Sequence, residues 1–332
     1  MKTTYFGGNI MIEEVISILG IPSLAFVIST YIPGIQRKIE ARIQQRIGPS
    51  ILAPGFWAFF KFLFKKVDNP DANLPNLYNR LPLLSIVVLW TILAITSLTS
   101  FHILSNEIGI VGLLKLEEMM YIILGSLSFS IMGWRMPYID ECKGTPFIKT
   151  LKISLEQLGA VRCFKMITIG SFPFYLATFL PFINKHSIFL KDIVGEPFLF
   201  SLGGIFGAIC YFIGYIIMVK EYPFSITHTK ADVIEGPTLE LMAKYRALYL
   251  ASYELLLITL GSLFATLYLG IAPDVSNPIT IIENFAIALI FPILAAIVRA
   301  FSPLLLFKQI YPISFIATLF GVIGFIFALL GW

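Results

Sequence analysis

Long apolar segments alternate with short polar segments along most of this chain. An α-helix needs roughly 20 consecutive apolar residues to cross a bilayer, and segments of about that length recur throughout the sequence. They predict eight spans, at about 13–34, 81–104, 109–134, 160–183, 198–219, 246–271, 279–301 and 312–331. The pattern therefore predicts an all-α polytopic membrane protein, in which residues 1–332 form a single integral-membrane domain.

A shorter apolar segment at about 53–66 differs from these spans. It is rich in aromatic residues, and Lys61, Lys65 and Lys66 fall on one face if the segment is helical. This arrangement is typical of an amphipathic helix that lies in the membrane interface. A short buried helix is the alternative interpretation.

The composition agrees with a membrane protein. Hydrophobic residues make up 57% of the chain and charged residues 13%, with a mean hydropathy of +0.85, whereas a soluble domain is about a quarter charged. Three widely separated cysteines, Cys142, Cys163 and Cys210, lack the spacing of a metal or cluster site. We therefore expect no metal or redox cofactor on this chain. The opening residues lack the pattern of a cleavable signal peptide.

The placement of basic residues predicts the orientation. Most of the 24 lysines and arginines lie in the loops that follow spans one, three, five and seven, whereas Lys2, Lys185 and Lys191 lie on the other side. Basic residues favour the cytoplasmic side of a membrane. We therefore expect both termini outside and the long loops in the cytoplasm of a cell (inner or plasma) membrane.

Acidic residues are concentrated between Pro223 and Glu254. Asp232, Glu235 and Glu240 lie in the loop, and Glu254 lies about two turns into predicted span six. A carboxylate at that depth is energetically costly and is a functional candidate by default. A purely structural ion pair with a buried basic residue is the alternative. A second charged group, Lys115 with Glu117 and Glu118, predicts an ion pair at the outer interface.

A basic run, QRKIEARIQQRIGPS, follows the first predicted span. Simple anchoring of the chain by positive charge would account for the charges alone. The ending is more specific, because the Gly48–Pro49 pair breaks the chain just before the predicted interfacial helix.

This run resembles the loop after the first helix of the H-type (subunit 1) membrane subunit of respiratory complex I. That family has relatives in membrane-bound hydrogenases and ferredoxin-linked sulfur-reducing complexes. The chain departs from the family at Gln36, where the family has Glu. It retains the basic, amide and turn residues Arg37, Lys38, Gln44, Arg46, Gly48 and Pro49.

Three further segments resemble the same family, in the same order. The LGAVR segment ending at Arg162 resembles the start of the family's next core helix, but Ser171 stands where the family has a buried Glu. Glu156 and Lys165 lie nearby as candidate replacements. The Pro223–Glu254 segment matches at Asp232, Glu235, Gly236, Glu240 and Glu254. The last segment, from Val298, retains Arg299, Ala300, Pro303 and Gln309.

The resemblance implies a core membrane subunit that carries no redox cofactor and is not a complete enzyme by itself. The implied ion path for protons or sodium uses Glu254, Glu240, Glu235, Asp232, Glu156 and Lys165. The residues implied to dock the soluble arm are Arg37, Lys38, Arg42, Gln44, Arg46, Arg162 and Arg299. The implied partners are the large and small subunits of a hydrogenase-like arm with iron–sulfur clusters or a nickel–iron centre, antiporter-like membrane subunits and the lipid bilayer, with no nucleic acid.

The electron carrier has two interpretations. The Glu235-Gly236-Pro237 form and the missing family acids favour the ferredoxin-linked relatives, whereas the Val298–Gln309 match favours a quinone-binding complex I subunit. An autonomous secondary transporter for cations is the alternative from another class. A structural anchor without an ion path is a third interpretation, which Ser171 and Gln36 favour.

Overall fold

The structure, a computed structural model, describes residues 4–98, 105–128, 155–227 and 235–332. Within these ranges the chain forms eleven α-helices and no β-strand. They are α1 (Thr4–Ser29), α2 (Ile32–Ile43), α3 (Ala58–Leu63), α4 (Pro75–Ser97), α5 (Glu107–Leu127), α6 (Leu155–Lys165), α7 (Phe172–Asn184), α8 (Leu202–Val219), α9 (Ala243–Leu269), α10 (Pro278–Phe301) and α11 (Phe307–Leu329). The all-α prediction is confirmed.

Seven stretches of helix in the described ranges are long and apolar enough to cross a membrane. They comprise α1 with α2, α6 with α7, and α4, α8, α9, α10 and α11 singly. Helix α5 has 21 residues, enough to span, but Glu107, Lys115, Glu117 and Glu118 make it more polar than the others. The eight-span arrangement stays a prediction.

Helix α9 forms the centre of the bundle. It packs against α4, α10, α3 and α1, and nearly every residue from Leu255 to Tyr268 is buried. Its apolar composition has no polar face, as expected for a helix surrounded by other helices. Helix α11 lies at the periphery, with large apolar side chains such as Phe315 and Ile326 exposed.

Predicted span four is not one regular helix. Helix α6 ends at Lys165, a π-helical turn follows over Met166–Gly170, and α7 begins at Phe172. Pro173 has no N–H to donate to the preceding turn, which is a physical reason for the interruption. The break places Ser171 inside the bundle, with 1% of the residue exposed.

Close helix contacts occur where glycine removes a side chain. A Cβ added to Gly214 of α8 would lie 2.6 Å from the Cα of Phe174 on α7, and one added to Gly261 of α9 would lie 2.5 Å from the carbonyl oxygen of Ala288 on α10. The span-five glycines therefore serve the ordinary helix packing that small residues permit in membrane bundles.

The predicted interfacial segment is a short helical segment. A π-helical turn, Ala53–Trp57, leads into α3, and Trp57 and Phe64 expose their rings. Phe59 packs edge-on against Phe26 of α1, with ring centroids 5.9 Å apart. This segment therefore packs against the bundle on one side and exposes aromatic and lysine side chains on the other.

Candidate functional site

The basic end of the bundle is defined here as the end where α2, α8 and α10 finish and the acidic loop of residues 221–242 begins. The described residues of this loop are held in part through their backbone carbonyl groups. Tyr78 donates a hydrogen bond of 2.7 Å to the carbonyl of Pro237, and Arg162 one of 3.2 Å to that of Ile226. The backbone N–H of Leu305 donates to the carbonyl of Pro223 at 3.0 Å. Helices α4 and α6 and the segment after α10 therefore fix the loop.

Two of the predicted acidic residues have partners in this loop region. Arg246 of α9 donates to a carboxylate oxygen of Glu235 at 2.6 Å and to the hydroxyl of Thr238 at 2.9 Å. The backbone N–H of Asp71 donates to Glu240 at 3.3 Å. Asp232 lies outside the described residues. Glu235 and Glu240 thus connect the loop to α9 and to the segment before α4.

A buried charge network lies beneath this loop. The guanidinium of Arg299 on α10 contacts Glu40 of α2 and donates to Glu221 at 2.8 Å. The hydroxyl of Tyr253 on α9 donates to the other oxygen of Glu221 at 2.9 Å. The Glu221 side chain is only 2% exposed, so these charge-assisted bonds replace its hydration. The network joins α2, α9 and α10 at the end of α8.

Glu254 lies next to this network on α9 and is buried, with 7% of the residue exposed. Arg37, at the start of the basic run, is the positive charge that acts on its carboxylate. The neighbouring Gln36 is also buried and donates to the carbonyl of Pro292 at 3.2 Å. A glutamine amide at this position therefore joins α2 to α10 without adding a charge.

The predicted docking residues divide into two groups. Arg37, Arg42, Gln44 and Arg46 are exposed and Lys38 is half-buried. Arg162 and Arg299 instead direct guanidinium hydrogen bonds into the chain itself, as described above. The first group remains available to a partner, whereas the second group stabilises the surface on which a partner would rest.

The two candidate replacements for the missing family acid are not brought together. Glu156 is fully buried in the first turn of α6, whereas Lys165 is exposed at the end of that helix. Nine residues of α-helix separate them by about 14 Å. They do not form one site.

Charged residues of α5, rather than Glu156 and Lys165, lie beside Ser171. The ammonium of Lys115 is 2.8 Å from a carboxylate oxygen of Glu118 and donates to the Ser171 hydroxyl at 3.2 Å. The hydroxyl of Tyr175 donates to the same Glu118 oxygen at 2.9 Å. The predicted ion pair is present, but it lies inside the bundle rather than at an interface. These residues lie midway along α5, because the helix ends at Leu127, and Glu118 is 2% exposed.

Glu117, the other acid of this group, borders an enclosed cavity of about 30 Å³ between α4, α5, α8 and α9. Ser85 approaches one of its oxygens at 3.4 Å. Lys220 lines the same cavity, with its ammonium 4.7 Å from the ring centroid of Tyr121. Burial opposes the charge on Lys220, whereas the nearby carboxylates of Glu117 and Glu118 favour it and raise its pKa above the ordinary value.

In the described part of the chain, no three His, Cys, Asp or Glu side chains are grouped as a metal site. Cys163 and Cys210 are both buried and unpaired with each other, and Cys142 lies outside the described residues. The chemistry available here consists of carboxylates, ammonium and guanidinium groups and hydroxyls. These groups can hold and transfer protons and can attract ions.

Comparisons with known proteins place this arrangement in a family. The family model described as NADH dehydrogenase matches residues 16–137. The chain is 88% identical over 322 residues to "Uncharacterized protein MJ1362" of Methanocaldococcus jannaschii, covering 97% of this chain and 100% of that relative. It is 21% identical over 266 residues to the H subunit of NADH-quinone oxidoreductase from Maricaulis maris, covering 75% of this chain and 69% of the relative. The chain belongs to the H-type membrane-subunit family.

A solved structure agrees with this assignment at the level of fold. The H-type chain superposes with a TM-score of 0.74 and 20% identity on a chain of the membrane-bound sulfane sulfur reductase, an archaeal respiratory membrane complex, covering 95% of this chain and 99% of that chain. The resemblance inferred from sequence segments is therefore confirmed. This H-type chain is a core membrane subunit of a complex I-like assembly.

Several residues of the H-type chain's buried network were not found by sequence reasoning. Glu40 lies within a basic run, and Glu221 and Tyr253 are not among the candidate residues of the sequence motifs. Two signals could have identified them: Glu40 is an isolated acid among cations, and Glu221 adjoins Lys220 at the end of an apolar span. Charges at the ends of membrane helices commonly pair with one another.

Proposed function

We propose that this H-type subunit forms the seat for a soluble electron-transfer arm and couples electron transfer in that arm to translocation of protons or sodium ions. The observation that carries the proposal is the buried network of Glu40, Arg299, Glu221 and Tyr253. It lies directly beneath an exposed surface that carries Arg37, Arg42 and Arg46.

The exposed group supports the docking role. Arginine side chains form charge-assisted and bidentate hydrogen bonds with acidic partners, and their positions on the end of α2 leave them accessible. Arg246 and Arg162 hold the adjacent acidic loop in place through bonds within the chain. A partner would therefore meet a surface whose described residues are held by bonds within the chain.

The buried group supports the coupling role. Ionisable groups inside a membrane bundle commonly serve ion or proton paths. A change of charge in the arm would act first on Arg37 and the loop acids, and then on Glu254 and the Arg299 network. The proposed path therefore includes Glu235, Glu240 and Glu254, with Asp232 as a further member by sequence.

The proposed partners are hydrogenase-like large and small subunits with iron–sulfur clusters, and antiporter-like membrane subunits. We favour a ferredoxin-linked complex because Glu235, Gly236 and Pro237 match the form of the hydrogenase-type relatives. The similar fold of the sulfane sulfur reductase chain is consistent with this branch.

A quinone-binding role is the second candidate, and the similarity to the H subunit of NADH-quinone oxidoreductase favours it. The enclosed cavity of about 30 Å³ at Glu117 is far smaller than the roughly 300–1,000 Å³ of typical ligand pockets. Among the described residues this cavity is too small for a quinone, so a quinone chamber there would require surface from another segment or from the arm.

Affinity purification of the tagged chain from its native membranes tests the proposal. We expect iron–sulfur subunits that accept electrons from reduced ferredoxin to copurify, together with large membrane subunits. Copurified flavin-containing subunits that oxidise NADH and reduce a quinone would favour the second candidate. Purification of a stable chain alone that transports cations in liposomes would contradict both and indicate an autonomous transporter.

A further inference from the structure

Residues 51–66, called here the interfacial segment, carry positive charge that the proposed function does not use. The sequence contains no acidic residue between Glu40 and Asp68. The segment has three exposed lysines, Lys61, Lys65 and Lys66. None of their ammonium groups pairs with a carboxylate among the described residues. The described chain therefore does not neutralise this group of cations.

Contacts with α1 indicate the depth of the segment in the membrane. The ring of Phe59 packs against Phe26, with centroids 5.9 Å apart, and the ring of Phe56 stacks on Tyr31, with centroids 6.2 Å apart. Both partners precede Arg37, the first charge after the apolar run of α1. The segment is therefore level with the last apolar turn of this span, where acyl chains meet lipid headgroups.

Close backbone contacts hold the segment at this level. A Cβ added to Gly55 would clash with the carbonyl oxygen of Thr30, and one added to Gly34 would clash with that of Ile51. Only glycine leaves room for two backbones to approach so closely. The start of the segment is therefore fixed against the end of α1 and the first turn of α2.

The outward side of the segment is aromatic. Trp57 is 58% exposed and Phe64 is 82% exposed, and Phe60 and Leu63 are exposed near them. Aromatic rings beside cations are typical of the belt that membrane proteins place among lipid headgroups. The outward side therefore has the composition of a surface covered by lipid.

Two of the lysines are gathered around one ring. The ammonium of Lys61 is 5.9 Å and that of Lys65 is 5.3 Å from the ring centroid of Phe62. The aliphatic stem of a lysine can cover apolar surface while its ammonium reaches the headgroups. A helix C-terminus also favours cations, but that effect does not account for the exposed rings of Trp57 and Phe64.

We propose that the interfacial segment binds the headgroup of an acidic phospholipid. The phosphate oxygens accept charge-assisted hydrogen bonds from the ammonium groups of Lys61 and Lys65, and Lys66 adds electrostatic attraction. The acyl chains lie against Trp57 and Phe60. Because α3 packs against α9, the central helix of the bundle, the bound lipid would stabilise the subunit from its edge.

An acidic soluble protein is the competing occupant. Such a partner would meet the arginine surface at the end of α2, where Arg42 and Arg46 lie beyond the apolar run. The contact between Phe59 and Phe26 instead places α3 beside the apolar part of α1. This position favours lipid, and the site requires neither a particular electron carrier nor a particular translocated ion.

The test measures how closely acidic and neutral lipids approach Trp57. The tagged chain, with its copurified subunits, is reconstituted in bilayers that contain brominated phosphatidylglycerol or brominated phosphatidylcholine, because bromine quenches nearby tryptophan fluorescence. The Trp57 signal is the difference between each chain and its Trp57→Phe version, which cancels all other tryptophans. Each basic residue near an acidic surface strengthens binding on the order of fivefold, so three lysines predict a preference for phosphatidylglycerol of at least about tenfold.

The variant Lys61→Gln with Lys65→Gln and Lys66→Gln is expected to be quenched equally by the two lipids. Equal quenching of the wild type would overturn the headgroup site. Quenching of the wild type by neither lipid would overturn contact with the membrane. If the triple variant does not fold, Lys65→Gln alone replaces it, and the preference should fall about fivefold; an unchanged preference would overturn the site.

The matched control removes the same charge from three exposed lysines elsewhere, in Lys191→Gln with Lys244→Gln and Lys308→Gln. It should keep the preference of the wild type. Loss of the preference in this control as well would show a general effect of net charge and overturn the site.

Copurification separates a lipid from a protein occupant. We expect the variant without Lys61, Lys65 and Lys66 to keep the soluble subunits that copurify with the wild type. Loss of those subunits together with an unchanged lipid preference would show that the segment docks a protein, and would overturn the lipid site while leaving the proposed function intact.

Discussion

At the scale of single residues, Arg299 has the strongest connections at the basic end. It contacts Glu40 and donates to Glu221, whose side chain is 2% exposed. Removing one partner of a buried ion pair leaves an uncompensated charge and typically costs about 3–5 kcal/mol. We expect Arg299→Met to destabilise the purified subunit by about that amount, measured by denaturant unfolding in detergent.

Arg46→Met is the control for this measurement. Arg46 is exposed and its guanidinium bonds Gln44, two residues away, so its loss is expected to change stability by less than about 1 kcal/mol. Equal unfolding midpoints for the two variants would contradict a structural role for the Arg299 network.

Glu254 gives a functional prediction at the same scale. Glu254→Gln keeps the shape of the side chain and removes its charge, so the complex is expected to assemble and to transfer electrons. Ion translocation per electron is expected to fall sharply, because the buried carboxylate of α9 is lost. Vesicle assays with Glu283→Gln as control, at an exposed carboxylate of α10, measure both quantities. Undiminished translocation would make Glu254 structural.

At the scale of secondary-structure elements, the stability of the subunit depends on how closely neighbouring helices pack. Gly214 of α8 has no space for a methyl group beside Phe174 on α7, whereas a Cβ on Gly112 of α5 would meet nothing within 4 Å. We expect Gly214→Ala to destabilise the subunit by about 1–3 kcal/mol through overpacking. Gly112→Ala should be neutral or stabilise α5 by up to about 1 kcal/mol. Unfolding curves in detergent compare the two; a smaller effect at Gly214 would contradict the close packing.

The end of α2 gives a second prediction at this scale. Arg42 and Arg46 are exposed there, so Arg42→Glu with Arg46→Glu is expected to repel an acidic partner surface and release the soluble arm. Copurification of the arm measures this directly. The control is Lys185→Glu with Lys191→Glu, which reverses two charges at the opposite end. Full assembly of the α2 variant with normal turnover would argue against docking on this surface.

For the whole molecule, the distribution of basic residues predicts the orientation. A single cysteine placed at Lys149, in the loop after predicted span three, should react with an impermeant reagent only from the cytoplasmic side. A single cysteine at Lys191 should react only from outside. Labelling in intact cells and in inverted vesicles, with the three native cysteines replaced, measures both. The reverse pattern would show the opposite orientation.

The fold was largely predictable because membrane spans are long, local and apolar. Predicted spans at 246–271 and 279–301 correspond to α9 and α10 with differences of at most three residues at each end. The break at Met166–Gly170 was not predicted, since an apolar run does not report which backbone bonds are made. Predicted span three, at 109–134, extends beyond the end of α5 at Leu127. The prediction therefore places Lys115 and Glu118 nearer one end of the helix than they lie.

The candidate site was less predictable, because its pairs join distant segments. Arg299 and Glu40 are 259 residues apart in sequence and in contact in space. Their individual charges gave no sign of mutual pairing. The resemblance singles out Arg299 and the acidic loop, but only packing shows that Glu221 and Tyr253 join Arg299 in one network.

Several contacts to the described residues of the 221–242 loop are made by main-chain oxygens, those of Pro223, Ile226 and Pro237 among them. A carbonyl oxygen is present whatever the side chain is, so mutation of these residues leaves the acceptor in place. The loop can therefore diversify its outward-facing side chains over evolutionary time while its seat stays the same. Homologous subunits could in this way exchange one redox partner for another without rebuilding the membrane bundle.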